Sequence, residues 1–327
     1  AHRGWREIRV PANWYSAGYD HQGALWYRHE FTLPRRAPDT MATLVFDGVD
    51  YFADVTLNGR HLARHEGYFQ RFSVDISDAL QRHNRLAVRV DSPWEDPKKI
   101  WPLHKTLFKG VLNQHDTRPG GAWAENGQDA NSGGIWAPVK LHLSRGVTID
   151  QVILRPDWRE GLGKPALHAE IRYRALSAGP VTLRLSATPD NFSGTRTERA
   201  FPVQIAKTDG KPRSLSVTLP VKDAKLWWPV GYGRPNLYRV RATLLDEQGV
   251  MDTAVTRTGL RKMEAQPDNR GWLINDRRLF IKGSNYIGSP WLSTMTRKKY
   301  RRDFRLVQAM NANAIRVHAH VAGRAPY

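Results

Sequence analysis

Apolar and polar side chains alternate one by one in segment after segment of this chain. This period of two is typical of β-strands that bury one face. The clearest segment is PALHAEIRYRAL (165–176), in which every second residue from Leu167 to Tyr173 is apolar or aromatic. Shorter segments repeat the pattern: WYRHEFTLP (26–34), RLAVRV (85–90), VTLRLSA (181–187), SLSVTLP (214–220) and LYRVRATLLD (237–246). A chain built this way is expected to fold into antiparallel β-sandwiches.

The strand patterns divide into two sets. In the first set, Asn58-Gly59 separates two short runs and predicts a type I′ hairpin, because both turn residues need positive φ. The segment IWAPVKLHL (135–143) is expected to be a strand that closes this first sandwich. A second set of about seven strands follows within roughly 115 residues, which fits a small immunoglobulin-like sandwich.

The pattern changes after Gly259. Residues 272–275 and 278–282 are expected to form a hairpin that runs into a buried strand. The segment TRKKYRRDFRLVQAMN (296–311) then predicts an amphipathic helix with Thr296 as its N-cap. The apolar face of that helix is expected to carry Tyr300, Phe304, Val307 and Met310.

The segment AIRVHAHV (314–321) after this helix is expected to be a strand, which completes a strand–helix–strand unit. Such a unit needs a parallel partner strand and helices that cover its sheet. One unit cannot bury both faces, so we expect a third domain that is only begun here and is truncated at Tyr327. The expected domains are therefore 1–145, 146–262 and 263–327.

The charge balance gives a first test of partners. The 327 residues carry a formal charge of +19, and a basic chain can bind nucleic acid. The basic residues are scattered among acidic ones rather than clustered, so we expect no nucleic-acid partner. No apolar run reaches the ~20 residues that span a bilayer, and we expect no membrane partner either. The sequence leaves open whether the chain forms a homo-oligomer.

The chain contains no Cys. This excludes disulfides and thiolate metal sites, and it fits a reducing or an oxidising compartment. No signal-peptide pattern opens the chain. We favour a periplasmic or secreted location slightly over a cytoplasmic one, and we expect no cofactor and no metal.

The segment from His104 to Trp136 has neither a helical nor a strand period. A run of this length is usually functional or disordered, and its aromatic residues argue against a solvated linker. It combines six Gly, four of them in the pairs 120–121 and 133–134, with a dense set of polar side chains, which are Asn113, His115, Asp116, Glu125, Asn126, Gln128, Asp129 and Asn131. Aromatic faces beside such hydrogen-bonding groups suit a ligand that is rich in hydroxyls. We therefore expect this segment to contact a sugar.

Six stretches in a fixed order carry further information. They are WYRHEF (26–31), VDYFADVTLNGRHLARHEGYF (49–69), NSGGIWAPV (131–139), LWWPVGYGRPNLY (226–238), LFIKGSNY (279–286) and NANAIRVHAH (311–320). Together they resemble the N-terminal part of family 2 glycoside hydrolases, along the whole chain. The resemblance implies a mostly β protein: a jelly-roll sugar-binding domain, an immunoglobulin-like domain and the first βαβ unit of a (β/α)8 barrel. Within the family, the pattern at 227–238 is similar to the β-mannosidase and exo-glucosaminidase branch.

The resemblance implies a retaining exo-β-glycosidase that hydrolyses terminal β-linked sugars of an oligosaccharide or glycoside, with β-mannosidase-like specificity favoured. Retention requires a nucleophile and an acid/base about 5–5.5 Å apart. In the family both are glutamates on later barrel strands. We therefore expect them beyond the chain end, with no catalytic residue and no activity in this chain alone. The alternatives are a β-galactosidase- or β-glucuronidase-like specificity, or a non-catalytic carbohydrate-binding protein.

The resemblance also implies substrate-binding residues in the sugar-contacting segment. Asp129 stands where mannosidase-like members carry the aspartate of a Gly-Trp-Asp motif that reaches the terminal sugar, although it could instead cap a turn. Gln128 departs from the Trp of that motif, which removes a stacking surface. Asn131 either binds the sugar or supports the turn after it, and Trp123 either stacks on a sugar or anchors packing. We expect the segment around Thr117–Asn131 to be mobile.

A second group of candidates lies at the carboxyl end of the expected second barrel strand, where barrel active sites lie. Alternation points Arg316, His318 and His320 to one side. The family keeps an Arg at the position of Arg316, lining the sugar pocket; a buried ion pair is the alternative. His318 matches the following site position in galactosidase-like relatives, and Asn285 is a further candidate at the rim. No carboxylate accompanies the two His at a spacing that suits a metal.

Overall fold

The computed structural model describes a defined part of the chain: residues 4–33, 37–94, 107, 109, 112–113, 116–117, 132–267, 271–286, 288–289 and 291–317. Within these residues the chain forms 21 strands and a single α-helix. This confirms the mostly β fold that the alternation predicts. No helix in this part of the chain is long and apolar enough to cross a membrane.

The first sandwich is built from antiparallel strands. They are β1 (Gly23–Thr32), β2 (Thr40–Phe46), β3 (Phe52–Leu57), β4 (Arg60–Glu66), β5 (Phe72–Asp75), β6 (His83–Ser92), the short β7 (Leu112–Asn113) and β8 (Asp116–Thr117), and β9 (Val139–Arg145). One sheet has the order β1-β6-β3-β4 and the facing sheet the order β5-β2-β9. Alternate side chains of β3 and β6 fill the core between the sheets: Ala53, Val55, Leu57, Leu86, Val88 and Val90.

The turn between β3 and β4 confirms the predicted hairpin. Asn58 has φ 53° and Gly59 has φ 83°, and Leu57 pairs with Arg60 across the turn. Positive φ at both central residues is the geometry that matches the twist of the flanking strands. The turn thereby fixes the register, and with it the face of β3 that is buried.

The strand predicted at 135–143 is wrong in its first part. β9 begins at Val139, whereas Ile135 and Trp136 are buried outside any strand. A Cβ added at Gly48 would lie 2.5 Å from the Trp136 ring. The indole therefore packs directly on the backbone of the β2–β3 connection, and this contact, rather than a strand ladder, sets the local path of the chain.

The second sandwich has the seven strands that the sequence predicts. They are β10 (Val147–Asp157), β11 (Ala166–Ala175), β12 (Gly179–Pro189), β13 (Thr197–Ile205), β14 (Arg213–Pro220), β15 (Tyr238–Asp246) and β16 (Gly249–Thr258). They form sheets of order β10-β11-β14 and β13-β12-β15-β16. The alternating residues of β11 that were predicted to be buried, Leu167 to Tyr173, lie in the core of this sandwich.

The last part of the chain changes from antiparallel to parallel pairing. A meander of β17 (Met263–Ala265), β18 (Trp272–Ile274) and β19 (Arg277–Leu279) leads into β20 (Gly283–Tyr286), helix α1 (Arg297–Ala309) and β21 (Ala314–Val317). β20 and β21 pair in parallel, which confirms the strand–helix–strand unit. Helix α1 begins after Thr296, whose hydroxyl accepts a hydrogen bond from the N–H of Lys299 at 3.3 Å and so acts as the predicted N-cap.

Two details of this region differ from the prediction. The predicted hairpin is confirmed as β18 and β19, but the strand expected to run through 278–282 stops at Leu279. The side chain of Phe280 is 75% exposed, and the strand that pairs with β21 begins only at Gly283. The chain here is held by its backbone, since the N–H of Phe280 donates to the Tyr232 hydroxyl and its carbonyl accepts from Asn313. Met310 is 68% exposed because it follows the last helical residue and leaves the face that buries Tyr300.

Candidate functional site

The parallel pair β20–β21 brings two of the predicted sugar-binding residues together. Asn285 and Arg316 stand directly opposite each other in the register. The Nη1 atom of Arg316 donates a hydrogen bond to Oδ1 of Asn285 at 3.2 Å, and both residues are exposed. A guanidinium has five N–H donors, of which this contact uses one. The pair can therefore offer donors to the hydroxyl groups of a ligand.

The residue after Asn285 supports this pair from the side of the helix. The Tyr286 hydroxyl donates to Oδ2 of Asp303 in α1 at 2.9 Å, and its ring lies 5.6 Å from that of Phe304. Burial, followed by the hydrogen bond to Asp303, raises the pKa of Tyr286. Tyr286 therefore keeps its proton at neutral pH, and its hydrogen bond holds α1 against β20.

The other predicted site residues lie outside the described residues. They are Trp123, Gln128, Asp129, Asn131, His318 and His320. Their roles stay predictions, as does the mobility expected for residues 117–131. In the described part of the chain, no three His, Asp or Glu side chains converge as a metal site would need.

A fully buried polar cluster lies at the end of β6 and consists of Asp50, Ser92, Lys109 and Ser132. The Ser132 hydroxyl donates a short hydrogen bond to Asp50 Oδ2. The Lys109 ammonium lies 3.9 Å from Asp50 Oδ1 and donates to the Ser92 hydroxyl. Burial raises the pKa of Asp50, and the charge of Lys109 opposes this shift. This polar cluster thus holds the 104–136 segment at two points, Lys109 and Ser132.

An aromatic group beside this cluster reaches the C-terminal unit. The Trp136 Nε1–H donates to the carbonyl of Tyr68 at 2.9 Å, and the two rings stack at 5.2 Å. Tyr51 belongs to the same group, and Leu292 from the connection between β20 and α1 packs against it. Burial raises the pKa of Tyr68 well above its usual value. Leu292 therefore links the β20–α1 connection to the first sandwich through an apolar contact.

Sequence reasoning gave no role to Asp50. It lies in the run LVFDGVDYFA (44–53), which contains only two charged residues. A carboxylate inside such an apolar run is a usable signal, because a buried charge must be paired. The identity of its partner, Lys109, could not follow from this signal, because the two residues are brought together only by the fold.

A groove of about 1890 Å³ lies elsewhere, along the outer edge of β1. It is bounded by residues 4–11 and by the start of β9, and its floor includes the interior side chains of Leu44 and Leu86. Neither Asn285 nor Arg316 lines it. Its volume exceeds the ~300–1,000 Å³ of most ligand pockets, as expected for the open seam between two sheets. The candidate sugar site is therefore not placed in this groove.

Two family models match the two sandwiches separately. One is described as a glycosyl hydrolase 2 galactose-binding domain-like family and matches residues 13–136. The other is described as glycosyl hydrolases family 2 and matches residues 147–261. The two matches do not overlap and together cover most of the chain.

Similar proteins extend these matches to the C-terminal part. A mannosylglycoprotein endo-beta-mannosidase of Lilium longiflorum is 28% identical over 323 residues, covering 92% of this chain and 33% of that protein. A beta-mannosidase B of Thermothelomyces thermophilus is 26% identical over 305 residues, covering 90% of this chain and 35% of that protein. The chain therefore spans about a third of the length of these relatives.

A solved structure shows the same fold. The beta-glucuronidase of Bacteroides uniformis superposes with a TM-score of 0.74 at 23% sequence identity, covering 98% of this chain and 37% of that one. At this level of identity the likeness concerns the fold alone. It includes the two sandwiches and the parallel unit that follows them.

Proposed function

Because the chain belongs to glycoside hydrolase family 2, we propose that it forms the N-terminal part of a retaining exo-β-glycosidase with β-mannosidase-like specificity. The preference for mannosides rests on the two relatives named as mannosidases, which match 92% and 90% of the chain. The exo mode of cleavage rests on the family resemblance alone, because the Lilium longiflorum relative is named as an endo-enzyme. The proposed substrate is an oligosaccharide or glycoside with a terminal β-linked sugar.

We assign the two catalytic carboxylates to the rest of the parent protein. A retaining glycosidase needs a nucleophile and an acid/base about 5–5.5 Å apart on either side of the scissile bond. The relatives are about three times as long as this chain, which leaves ample sequence for the remaining strands of a (β/α)8 barrel. Under this proposal the 327 residues alone hydrolyse nothing.

The role proposed for this chain is to recognise the terminal sugar. The observation that carries it is the contact between Arg316 and Asn285, 3.2 Å apart and exposed on adjacent parallel strands. Active sites of (β/α)8 barrels lie at the carboxyl ends of such strands. In this proposal Arg316 donates to sugar hydroxyls, Asp129 accepts from two of them, and His318, His320, Gln128, Asn131 and Trp123 complete the pocket. Hydrogen bonds to an ionised group are the strong and directional ones.

The first experiment measures hydrolysis of four aryl glycosides by the full-length protein and by the 327-residue chain. We expect the full-length protein to prefer the β-mannoside over the β-galactoside, β-glucuronide and β-glucosaminide, and the shorter chain to be inactive. A preference for the galactoside or glucuronide would replace the proposed specificity. Sugar binding without hydrolysis by the full-length protein would support a carbohydrate-binding protein instead.

The second experiment tests the recognition residues in the full-length protein. We expect Arg316→Lys to lower kcat/KM about tenfold or more, because an ammonium cannot reproduce the planar fork of a guanidinium. We expect Asp129→Ala to lower kcat/KM as well. Arg184→Lys, an exposed Arg of the second sandwich, is the matched control. Unchanged kinetics in either of the first two variants would remove that residue from the site.

A further inference from the structure

Asn13 joins three separate segments of the chain although it lies far from all sequence motifs of the site. Its side chain is fully buried. Its Nδ2 donates to the carbonyl of Ser132 at 2.6 Å, and its Oδ1 accepts from the N–H of Ser293 at 3.2 Å. Its own N–H donates to the Ser293 hydroxyl at 2.9 Å. Asn13 and Ser293 therefore exchange two reciprocal hydrogen bonds while the amide nitrogen holds Ser132.

The Ser132 end of this connection is itself held firmly. The Ser132 hydroxyl donates to the carboxylate of the fully buried Asp50, beside Lys109. The backbones of Asp50 and Gly134 also exchange two hydrogen bonds, of 2.9 and 3.1 Å. Buried polar groups that are partnered in this way leave little freedom to the segment that carries them. The carbonyl that receives the Asn13 amide is therefore in a fixed position.

The Ser293 end lies on the connection that follows β20. Ser293 is the central residue of a 3-10 turn, Leu292–Thr294. On one side of it Leu292 packs against the Trp136 group, and on the other the Trp291 ring stacks on Tyr15 at 5.1 Å. The turn that leaves the carboxyl end of β20 is thus docked on the first sandwich, with the Asn13–Ser293 exchange at its centre.

We propose that Asn13 is a positioning residue for the sugar site: it fixes the end of the 104–136 segment relative to the turn after β20, and hence relative to Asn285 and Arg316. This rests on the proposed function, because the two sides that it joins are the two sources of the proposed recognition residues. Asn13 itself need not touch the sugar. Its effect arises because a displacement of about 1 Å between the groups that bind a substrate can lower a rate about a hundredfold.

The experiment uses the full-length protein and the aryl glycoside that it hydrolyses fastest. We expect Asn13→Ala to lower kcat/KM about ten- to a hundredfold, measured per folded molecule well below the melting temperature. The matched control is Asn84→Ala. Asn84 is also a buried amide of the first sandwich and bonds twice to backbone, to the N–H and carbonyl of Gln81 at 2.8 and 2.7 Å. It lies at the opposite end of β6 from the polar cluster.

A purely structural role predicts that both variants melt earlier and that neither changes kcat/KM per folded molecule. Equal kcat/KM in Asn13→Ala and Asn84→Ala would therefore overturn the positioning role while leaving the proposed function intact. An inactive wild-type protein would instead overturn the proposed function, and the positioning role with it.

A milder variant keeps the proposal testable if Asn13→Ala does not fold, and a double-mutant cycle adds a second test if it does. Ser293→Ala removes only the hydroxyl that accepts from the Asn13 N–H, and we expect a smaller loss of kcat/KM in the same direction. Because the two residues act through one connection, the double variant should lose less than the product of the two single losses. Independent, multiplicative losses, or no loss in Ser293→Ala, would overturn the proposal.

Discussion

A hydrogen bond between His142 of β9 and Asp252 of β16 is one of the contacts that join the two sandwiches, with Nε2 and Oδ2 3.0 Å apart. Asp252 is buried and also accepts from the N–H of Ile149 at 2.6 Å. The hydrogen bond to Asp252 raises the pKa of His142, with a smaller contribution from Asp150, whereas burial and Arg71 act in the opposite direction. The folded state therefore favours the protonated form of His142.

We expect this bond to make stability depend on pH. The contribution of His142 is fully present below its unfolded pKa of about 6.5 and is lost as pH rises through its higher folded pKa. Because the side chain is about a third exposed, we expect about 1 kcal/mol at most. Urea unfolding between pH 5.5 and 8.5 should show that the wild type has a higher free energy of unfolding than His142→Gln at low pH. This difference should shrink as the pH rises. His29→Gln, at an exposed His, is the control. A stability difference between wild type and His142→Gln that does not change with pH would contradict the role given to His142.

The hairpin residue Asn58 gives a second prediction at this scale. Its Nδ2 donates to the carbonyl of Ala79 and its Oδ1 accepts from the N–H of Arg85, both at 2.8 Å. Asn58→Ala loses both bonds and a third one, from Nδ2 to Oδ1 of Asn84 at 3.1 Å. It keeps the strain of φ 53°, so we expect a loss of about 2–3 kcal/mol. Asn58→Gly loses the same bonds without the strain and should be more stable than Asn58→Ala by about 1 kcal/mol. Chemical unfolding measures both, and a Gly variant no more stable than the Ala variant would contradict this account.

Among the elements, the pairing of β20 with β21 decides whether Asn285 meets Arg316. A Cβ at Gly283 would lie 2.2 Å from the carbonyl oxygen of Ala314 on the partner strand. We expect Gly283→Ala to push the strands apart, to lower stability by about 1–3 kcal/mol and to lower kcat/KM of the full-length protein. Gly179→Ala, with no atom within 4 Å of the new Cβ, is the matched control. Wild-type kinetics in Gly283→Ala would show that the pair does not depend on this register.

Element types followed from the sequence because they depend on neighbours along the chain. The period of two in β11, the Asn58-Gly59 turn and the Thr296 N-cap are local signals, and the structure confirms each of them. The prediction that a strand begins at residue 135 is wrong for a non-local reason: Trp136 packs on Gly48, which is far away in the sequence. The prediction that Phe280 lies in a buried strand is wrong for a similar reason. Long-range hydrogen bonds to its backbone, rather than the apolar run around it, set its conformation.

For the whole molecule, Arg174 is a buried charged link between the sandwiches, beside the more exposed pair of Arg145 in β9 and Asp246 in β15. Arg174 is 7% exposed and pairs with Asp150 at 2.8 Å. It also reaches the first sandwich, at the Thr43 hydroxyl (3.1 Å) and at Asp75 (3.4 Å). Loss of this buried guanidinium leaves Asp150 without its ion-pair partner, whereas Asp75 is half exposed and also accepts from Ser77.

We expect Arg174→Ala to destabilise the protein by about 3–5 kcal/mol, and Arg174→Met by less, because Met fills the volume without a charge. The melting curve of Arg174→Ala should separate into two transitions if the sandwiches lose their coupling. Arg172→Ala, an exposed Arg on the same strand, should change little. A single unshifted transition in Arg174→Ala would show that the sandwiches are held together by other contacts.

The sequence by itself determined the element types, the two sandwiches, the parallel unit and the family, because periodicity, turn residues and motifs are properties of short stretches. It also singled out Asn285 and Arg316, since each stands in such a motif. Only the tertiary structure decided which residues meet: Asn13 with Ser132 and Ser293, or Asp50 with Lys109. Hydrogen bonds and ion pairs act over a few ångströms in space, and no local pattern records which distant residues the fold will bring within that range.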